Sequence, residues 1–205
     1  MAAWLNSSLR NRRSLTRPRC QPVDISMPKY LAFLRAINVG GHTVKMDQLR
    51  QLFAGLGFAN VETFIASGNV IFDSPTKSSR ILEKKIESCL KSALGYEVAT
   101  FVRSVAELQQ IAKYRPFPNT ELDAAGHTLY VGFMATEPDE LAQEKLRALA
   151  TEVDDFHLSG REFYWLCRVR FGDSQVSGAL LAKTLGLPAT IRNSTTVKKL
   201  AAKYS

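Results

Sequence analysis

Twice along this chain, a strand-length apolar run leads into apolar positions at helical spacing. Two short strands joined at a glycine-containing turn follow, then a second helix and a last strand. An order that alternates between a period of two and a period of 3.6 in this way specifies mixed α+β architecture. In the first pass, residues 30–39 are β-branched, aromatic and aliphatic and end at Gly40-Gly41, which predicts a strand. Met46, Leu49, Leu52, Phe53 and Leu56 then share a helix face, and Gly57 stops the helix. Residues 61–66 and 70–73 read as strands joined at Ser67-Gly68-Asn69, whose glycine and asparagine tolerate positive φ. A helix capped by Ser78 or Ser79 runs to Gly95, and residues 97–102 make a fourth strand. The unit is βαββαβ.

The order returns after a linking helix carrying Val105, Leu108, Ile111 and Ala112 and the loop Arg115-Pro116-Phe117-Pro118. Residues 127–134 predict a strand, and Leu141, Ala142, Leu146 and Leu149 a helix. Residues 153–158 and 162–168 predict two strands joined at Ser159-Gly160-Arg161. Residues 176–185 predict a helix ended by Gly186, and residues 189–192 a short strand. Ser194 or Thr195 caps a final helix on Val197, Leu200, Ala201 and Tyr204. Residue identity barely repeats between the passes, so the duplication rests on element order and turn position. The expected division is residues 27–103, a linking helix and loop over 104–126, and residues 127–205 with the last helix.

A βαββαβ sheet covers one face with its own helices and leaves the other open. The first strand is nevertheless apolar on both faces, with Tyr30, Ala32, Leu34 and Ala36 on one and Leu31, Phe33, Ile37 and Val39 on the other. The second unit is therefore expected to cover the open face, and a cleft between the units is the natural ligand site.

The formal charge of +8 is unevenly spread. Residues 1–26 hold Arg10, Arg12, Arg13, Arg17 and Arg19 against Asp24, which leaves 22 basic and 18 acidic residues beyond them. A balance of +4 favours anions without implying nucleic acid. Three readings of residues 1–26 compete: a transit peptide, a basic nucleic-acid arm, and a disordered leader outside the fold. The leader is preferred, because the stretch has no amphipathic periodicity and Met27-Pro28 directly precedes the first strand. Cys20, Cys89 and Cys167 form no CxxC pair, so a reducing, cytoplasmic compartment is expected, and no apolar run is long enough for a membrane span.

Chemistry concentrates at the turn after the first strand. Arg35 alternates with Leu31, Phe33 and Ile37, so it is expected on an apolar side, where a guanidinium needs an internal acid or a bound anion. Asn38, Gly40, Gly41, His42 and Lys45 then lead to a helix start, a setting that offers backbone N–H groups to phosphate or carboxylate. Neither GxxxxGK[ST] nor GxGxxG occurs. Ser67 and Asn69 are placed to reach the same sheet end, although that turn suits a purely structural hairpin. Arg192 and Asn193 repeat the logic of an arginine and an asparagine before a helix. His42, His127 and His157 lack metal-ligand spacing and no GxSxG elbow is present, so neither metal nor cofactor is expected. The aromatic strand with Phe163 and Trp165 lacks the RNP1 pattern of RNA-binding sheets and reads as core.

From Met27 onward the chain resembles a bacterial family of uncharacterised proteins, domain of unknown function 1697. The resemblance is carried by the segment Leu34-Arg35-Ala36-Ile37-Asn38-Val39-Gly40-Gly41, by Lys45-Met46, and by Ile65-Ala66-Ser67-Gly68-Asn69-Val70-Ile71-Phe72. A last block is Thr190-Ile191-Arg192-Asn193-Ser194-Thr195-Thr196-Val197-Lys198-Lys199-Leu200. It implies two ferredoxin-like βαββαβ units in tandem, and no reaction. Ala36 and Ala66 stand where many relatives have glycine and glutamine. The expectation is a protein that binds a phosphate-bearing small molecule or nucleic acid through Arg35, Asn38, Gly40, Gly41, Lys45, Ser67, Asn69, Arg192 and Asn193. The alternatives are an enzyme using the same cleft through His42 or Lys45, and polar blocks that only hold turns.

Overall fold

The computed structural model describes residues 27–38, 43–65 and 68–204. The leader, Gly40, Gly41, His42, Ala66 and Ser67 lie outside the described residues. The first part runs β1 (Lys29–Leu34), α1 (Met46–Gly55), β2 (Ala59–Phe64), β3 (Asn69–Asp73), α2 (Ser79–Leu94) and β4 (Thr100–Ser104). Helix α3 (Val105–Lys113) and the one-turn α4 (Asn119–Leu122) lead to β5 (Thr128–Met134). Then come α5 (Glu140–Arg147), β6 (Asp154–Ser159), β7 (Glu162–Cys167), α6 (Gly178–Leu185), β8 (Ala189–Asn193) and α7 (Ser194–Lys203). The fold is mixed α+β, with two antiparallel sheets ordered β2-β3-β1-β4 and β6-β7-β5-β8. No helix among the described residues is long and apolar enough to cross a membrane.

Strand alternation sorts the side chains into three apolar layers. Ala32, Leu34, Val70 and Phe72 pack under α1 and α2 with Leu49, Phe53, Leu82 and Ile86. Phe163 and Trp165 do the same in the second sheet, against Leu146 and Leu181. The opposite faces meet each other. Leu31, Phe33, Ile71 and Phe101 of the first sheet join Val131, Phe133 and Tyr164 of the second, with Leu108 and Ile111 of α3 and Val197 and Leu200 of α7. Phe33 and Phe133 stack at the centre, with ring centroids 4.0 Å apart. Both faces of β1 are thus apolar because the second half of the chain covers the open one.

The first strand is shorter than its composition predicts, ending at Leu34 rather than at residue 39. Leu34 N donates to Gly68 O and Arg35 N to Ala99 O, and Ala36 then turns left-handed at φ 56°. That residue breaks the alternation, so Ile37 packs on the helix side with Leu34 instead of between the sheets. The fourth strand is also displaced, spanning Thr100–Ser104 rather than residues 97–102.

Edge strand β4 is closed by carboxylates of α2. Glu83 Oε1 accepts from Val102 N at 2.9 Å and Glu87 Oε1 from Thr100 N at 2.9 Å. Burial pushes the Glu83 carboxyl up from its ordinary value, against the pull of the Val102 N–H and Arg103. A carboxyl whose folded pKa is raised binds its proton more tightly when folded, so its charged form opposes folding above that pKa. Glu83→Gln retains an acceptor for Val102 N and is expected to raise the melting temperature at pH 7. The gain should shrink on acidification and vanish below the ordinary carboxyl range, near 4.5. Melting curves of both proteins from pH 4 to 8 check this, and a loss at pH 7 would mean that Arg103 requires the Glu83 charge.

Candidate functional site

The sheet end after β1 gathers most of the residues expected to form a site. Arg35 and Asn38 are half-buried and Lys45 is exposed. Asn38 Oδ1 accepts from Val44 N at 2.7 Å, which closes the loop between them. Residues 35–45 join β1 to α1, whereas residues 135–139 make the corresponding connection from β5 to α5. The longer loop carries Arg35 and Lys45, and the shorter one carries Glu137 and Asp139.

Backbone strain collects at the same end. Ala36 and Ile65 take φ of 56° and 50°, and Gly68 beside them takes 73°. Left-handed backbone costs an alanine roughly 1–2 kcal/mol and is rarer still for a β-branched residue. At Gly68 an added Cβ would lie 2.7 Å from the Ile37 side chain and 3.2 Å from Leu34, so glycine is needed there for contact as well as for φ.

The buried guanidinium expected at Arg35 is found elsewhere. Arg35, just past the end of β1, is only half-buried, and the buried arginines are Arg192 of β8 and Arg103 of β4. Arg192 Nε donates to Asn69 Oδ1 at 2.7 Å. Its Nη2 donates to Leu34 O at 3.0 Å and Gly68 O at 3.4 Å, and its Nη1 to Thr190 Oγ1 and Ile191 O. The guanidinium lies over the Phe33 ring at 5.8 Å.

Arg103 makes the same set of contacts in the opposite direction. Its Nε donates to Glu162 Oε1 at 2.5 Å, its Nη2 to Met134 O and Arg161 O, and its Nη1 to Val102 O. It lies over Phe133 at 5.7 Å. Asn69 pairs with Phe33 as Glu162 pairs with Phe133. Each sheet therefore sends an edge-strand arginine across to the end of the other sheet's central strand and to its hairpin turn. Every hydrogen bond of Arg192 to a described residue goes to a neutral oxygen. Burial draws its pKa down to about 10, so the group is still charged at pH 7. Arg103 is also lowered, chiefly by burial, with Glu162 opposing the shift.

Arg192-Asn193, which repeats the logic of Arg35-Asn38 in the sequence, is matched in the structure by Arg103-Ser104. Ser104 caps α3 and Asn193 caps α7, the latter through Thr195 N at 2.8 Å, so Asn193 rather than Ser194 or Thr195 is the cap. The signal that marks Arg103 is present in the sequence. Thr-Phe-Val-Arg-Ser and Ala-Thr-Ile-Arg-Asn each place an arginine directly before a helix-capping residue. Of the nine expected residues, Asn38, Asn69, Arg192 and Asn193 direct polar atoms into the protein itself. Arg35 and Lys45 remain at the mouth of the loop, and Gly40, Gly41 and Ser67 lie outside the described residues.

No curated protein matches this chain. A solved structure of a conserved bacterial protein from Streptococcus pneumoniae is similar in fold, with a TM-score of 0.65 at 23% identity over 88% of this chain and 100% of that one. The family described as "Protein of unknown function (DUF1697)" matches residues 27–164, which contain the first sequence blocks and exclude the block at Thr190–Leu200. With the match spanning more than half its length, this chain belongs to the DUF1697 family.

Proposed function

We propose that the chain is a binding protein for a phosphate-bearing ligand, a nucleotide or nucleic acid, held at the start of α1 in the cleft between two ferredoxin-like βαββαβ units. The repeated strand orders β2-β3-β1-β4 and β6-β7-β5-β8 support the architectural part of this reading. The division at residues 27–103 and 127–205, with 104–126 between, is part of the same proposal.

The observation that carries the site is the start of α1. Its N-cap is Lys45, whose side chain makes no capping hydrogen bond. By contrast α2, α3, α5, α6 and α7 begin on Ser78, Ser104, Asp139, Ser177 and Asn193, each of which accepts from its own first turn. A bound anion would supply the missing acceptor, with Arg35 and Lys45 providing charge and Gly40, Gly41 and Ser67 allowing close approach. Asn38 shapes the loop, and Arg192 with Asn69 holds the turn behind it. For those three the hydrogen bonds favour a structural role.

Thermal unfolding against phosphate, sulfate, nucleotides and short single-stranded DNA or RNA tests the proposal. A ligand at ~100 times its Kd that binds only the folded state should add roughly 2.7 kcal/mol. The shift should fall with salt and be lost in Arg35→Ala and Lys45→Ala. A shift unchanged in both variants, or none in the parent, would remove the site from consideration.

A further inference from the structure

A cavity lies in the second half of the chain. It has a volume of about 190 Å³ and is bounded by Tyr114 and Arg115 after α3, His127 and Thr128 at the start of β5, and Thr195 and Lys198 of α7. Ligand pockets for drug-sized molecules run to roughly 300–1,000 Å³, so this one suits a small ion or the head of a larger ligand.

The orientation of His127 makes the cavity specific. Its Nδ1 lies 2.8 Å from Glu121 O, and a carbonyl only accepts, so Nδ1 carries the hydrogen. The imidazole is thereby fixed, and Nε2 has no hydrogen bond to a described residue. In the neutral ring Nε2 is a bare acceptor, and in the imidazolium it is a donor. Glu121 Oε2 lies 3.7 Å from Nδ1 but is also engaged by Arg168 Nε at 2.9 Å. Among the described residues Arg115 pairs with Asp123 at 3.9 Å, with both groups exposed, and Lys198 is exposed on α7. The Tyr114 hydroxyl lies 2.7 Å from His157 Nε2 and is directed to that residue.

We propose that this cavity is an anion site, in which Arg115 and Lys198 hold a small phosphate-type oxyanion beside the His127 ring. The site is independent of the one at α1.

NMR titration of the full chain with sulfate reads the site directly. The His127 ring signal, assigned by its absence in His127→Gln, should shift saturably. Arg115→Ala combined with Lys198→Ala should weaken binding several-fold without unfolding the chain, since both side chains are exposed. Repeating the titration with acetate separates a phosphate-type site from a general carboxylate site, and equal affinity would overturn the phosphate assignment. A His127 signal indifferent to sulfate, or one whose response survives the double substitution, overturns the site. A response confined to His42, in the loop before α1, also overturns this site while supporting the other.

Discussion

Arg103→Met is expected to lower the unfolding free energy by about 3–5 kcal/mol, because it removes one partner of a buried ion pair. Glu162 would lose the donor it meets at 2.5 Å, Met134 O would lose the bond from Nη2, and Arg161 O would keep only Met134 N among the donors described for it. Glu83, which is buried and lies 4.0 Å from Nη1, would lose the nearest positive charge. Methionine matches the aliphatic stem, so the loss reports the guanidinium, including its place over the Phe133 ring. A chain of this size loses roughly 2–4 °C of melting temperature per kcal/mol, so calorimetry should show a fall of at least several degrees. A change under 2 °C would mean that the arginine's desolvation cancels its hydrogen bonds.

Arg192→Met is expected to cost less, about 2–4 kcal/mol, for a reason that lies in the difference between the two arginines. It removes one donor each from Asn69 Oδ1, Leu34 O and Gly68 O, the last of which still accepts from Leu34 N. It also relieves the desolvation that draws the Arg192 pKa down to about 10, and it strands no described carboxylate. Arg192→Lys keeps the charge but not the planar fork that reaches Asn69, Thr190 and Leu34 together, so it should recover only part of the loss. The two arginines lie over rings that stack on each other at 4.0 Å, and both hold the same junction of the sheets. Their effects should therefore not add. Once one crossing is broken the sheet ends can part, and the second loss should be smaller in the double variant than alone. Denaturant unfolding of the four proteins measures that coupling directly.

These crossings also bear on the proposed ligand sites. Arg192 binds the carbonyl of Leu34, where the loop before α1 begins, and that of Gly68 in the β2–β3 turn. The loop is thus mounted on a junction made by residues more than a hundred positions away in sequence. Loosening that junction would disturb binding at α1 without any contact to the ligand. Arg35→Ala and Lys45→Ala are for this reason the cleaner probes of binding, and the Arg192 variants are probes of the support.

Much of the architecture was written in local pattern. The alternation of apolar residues, the glycine-bearing turns and the capping residues act over fewer than about five positions, so a single sequence displays them. The same is true of the apolar second face of β1, which announced that something must cover it. Other features depended on tertiary structure. Whether β1 stopped at Leu34 depended on Gly68 O and Ala99 O accepting its last N–H groups, and on Ala36 turning left-handed. Arg35 has the apolar neighbours of a buried residue and is only half-buried, whereas Arg103 and Arg192 look like surface residues before helix caps and are enclosed. Burial of a charge is set by the acceptors that meet it, and those acceptors come from the other half of the chain. The sequence by itself determined the elements and which of their faces were apolar. The tertiary structure decided which polar groups met across the sheets, because hydrogen-bond partners far apart in sequence become neighbours only when the sheets close.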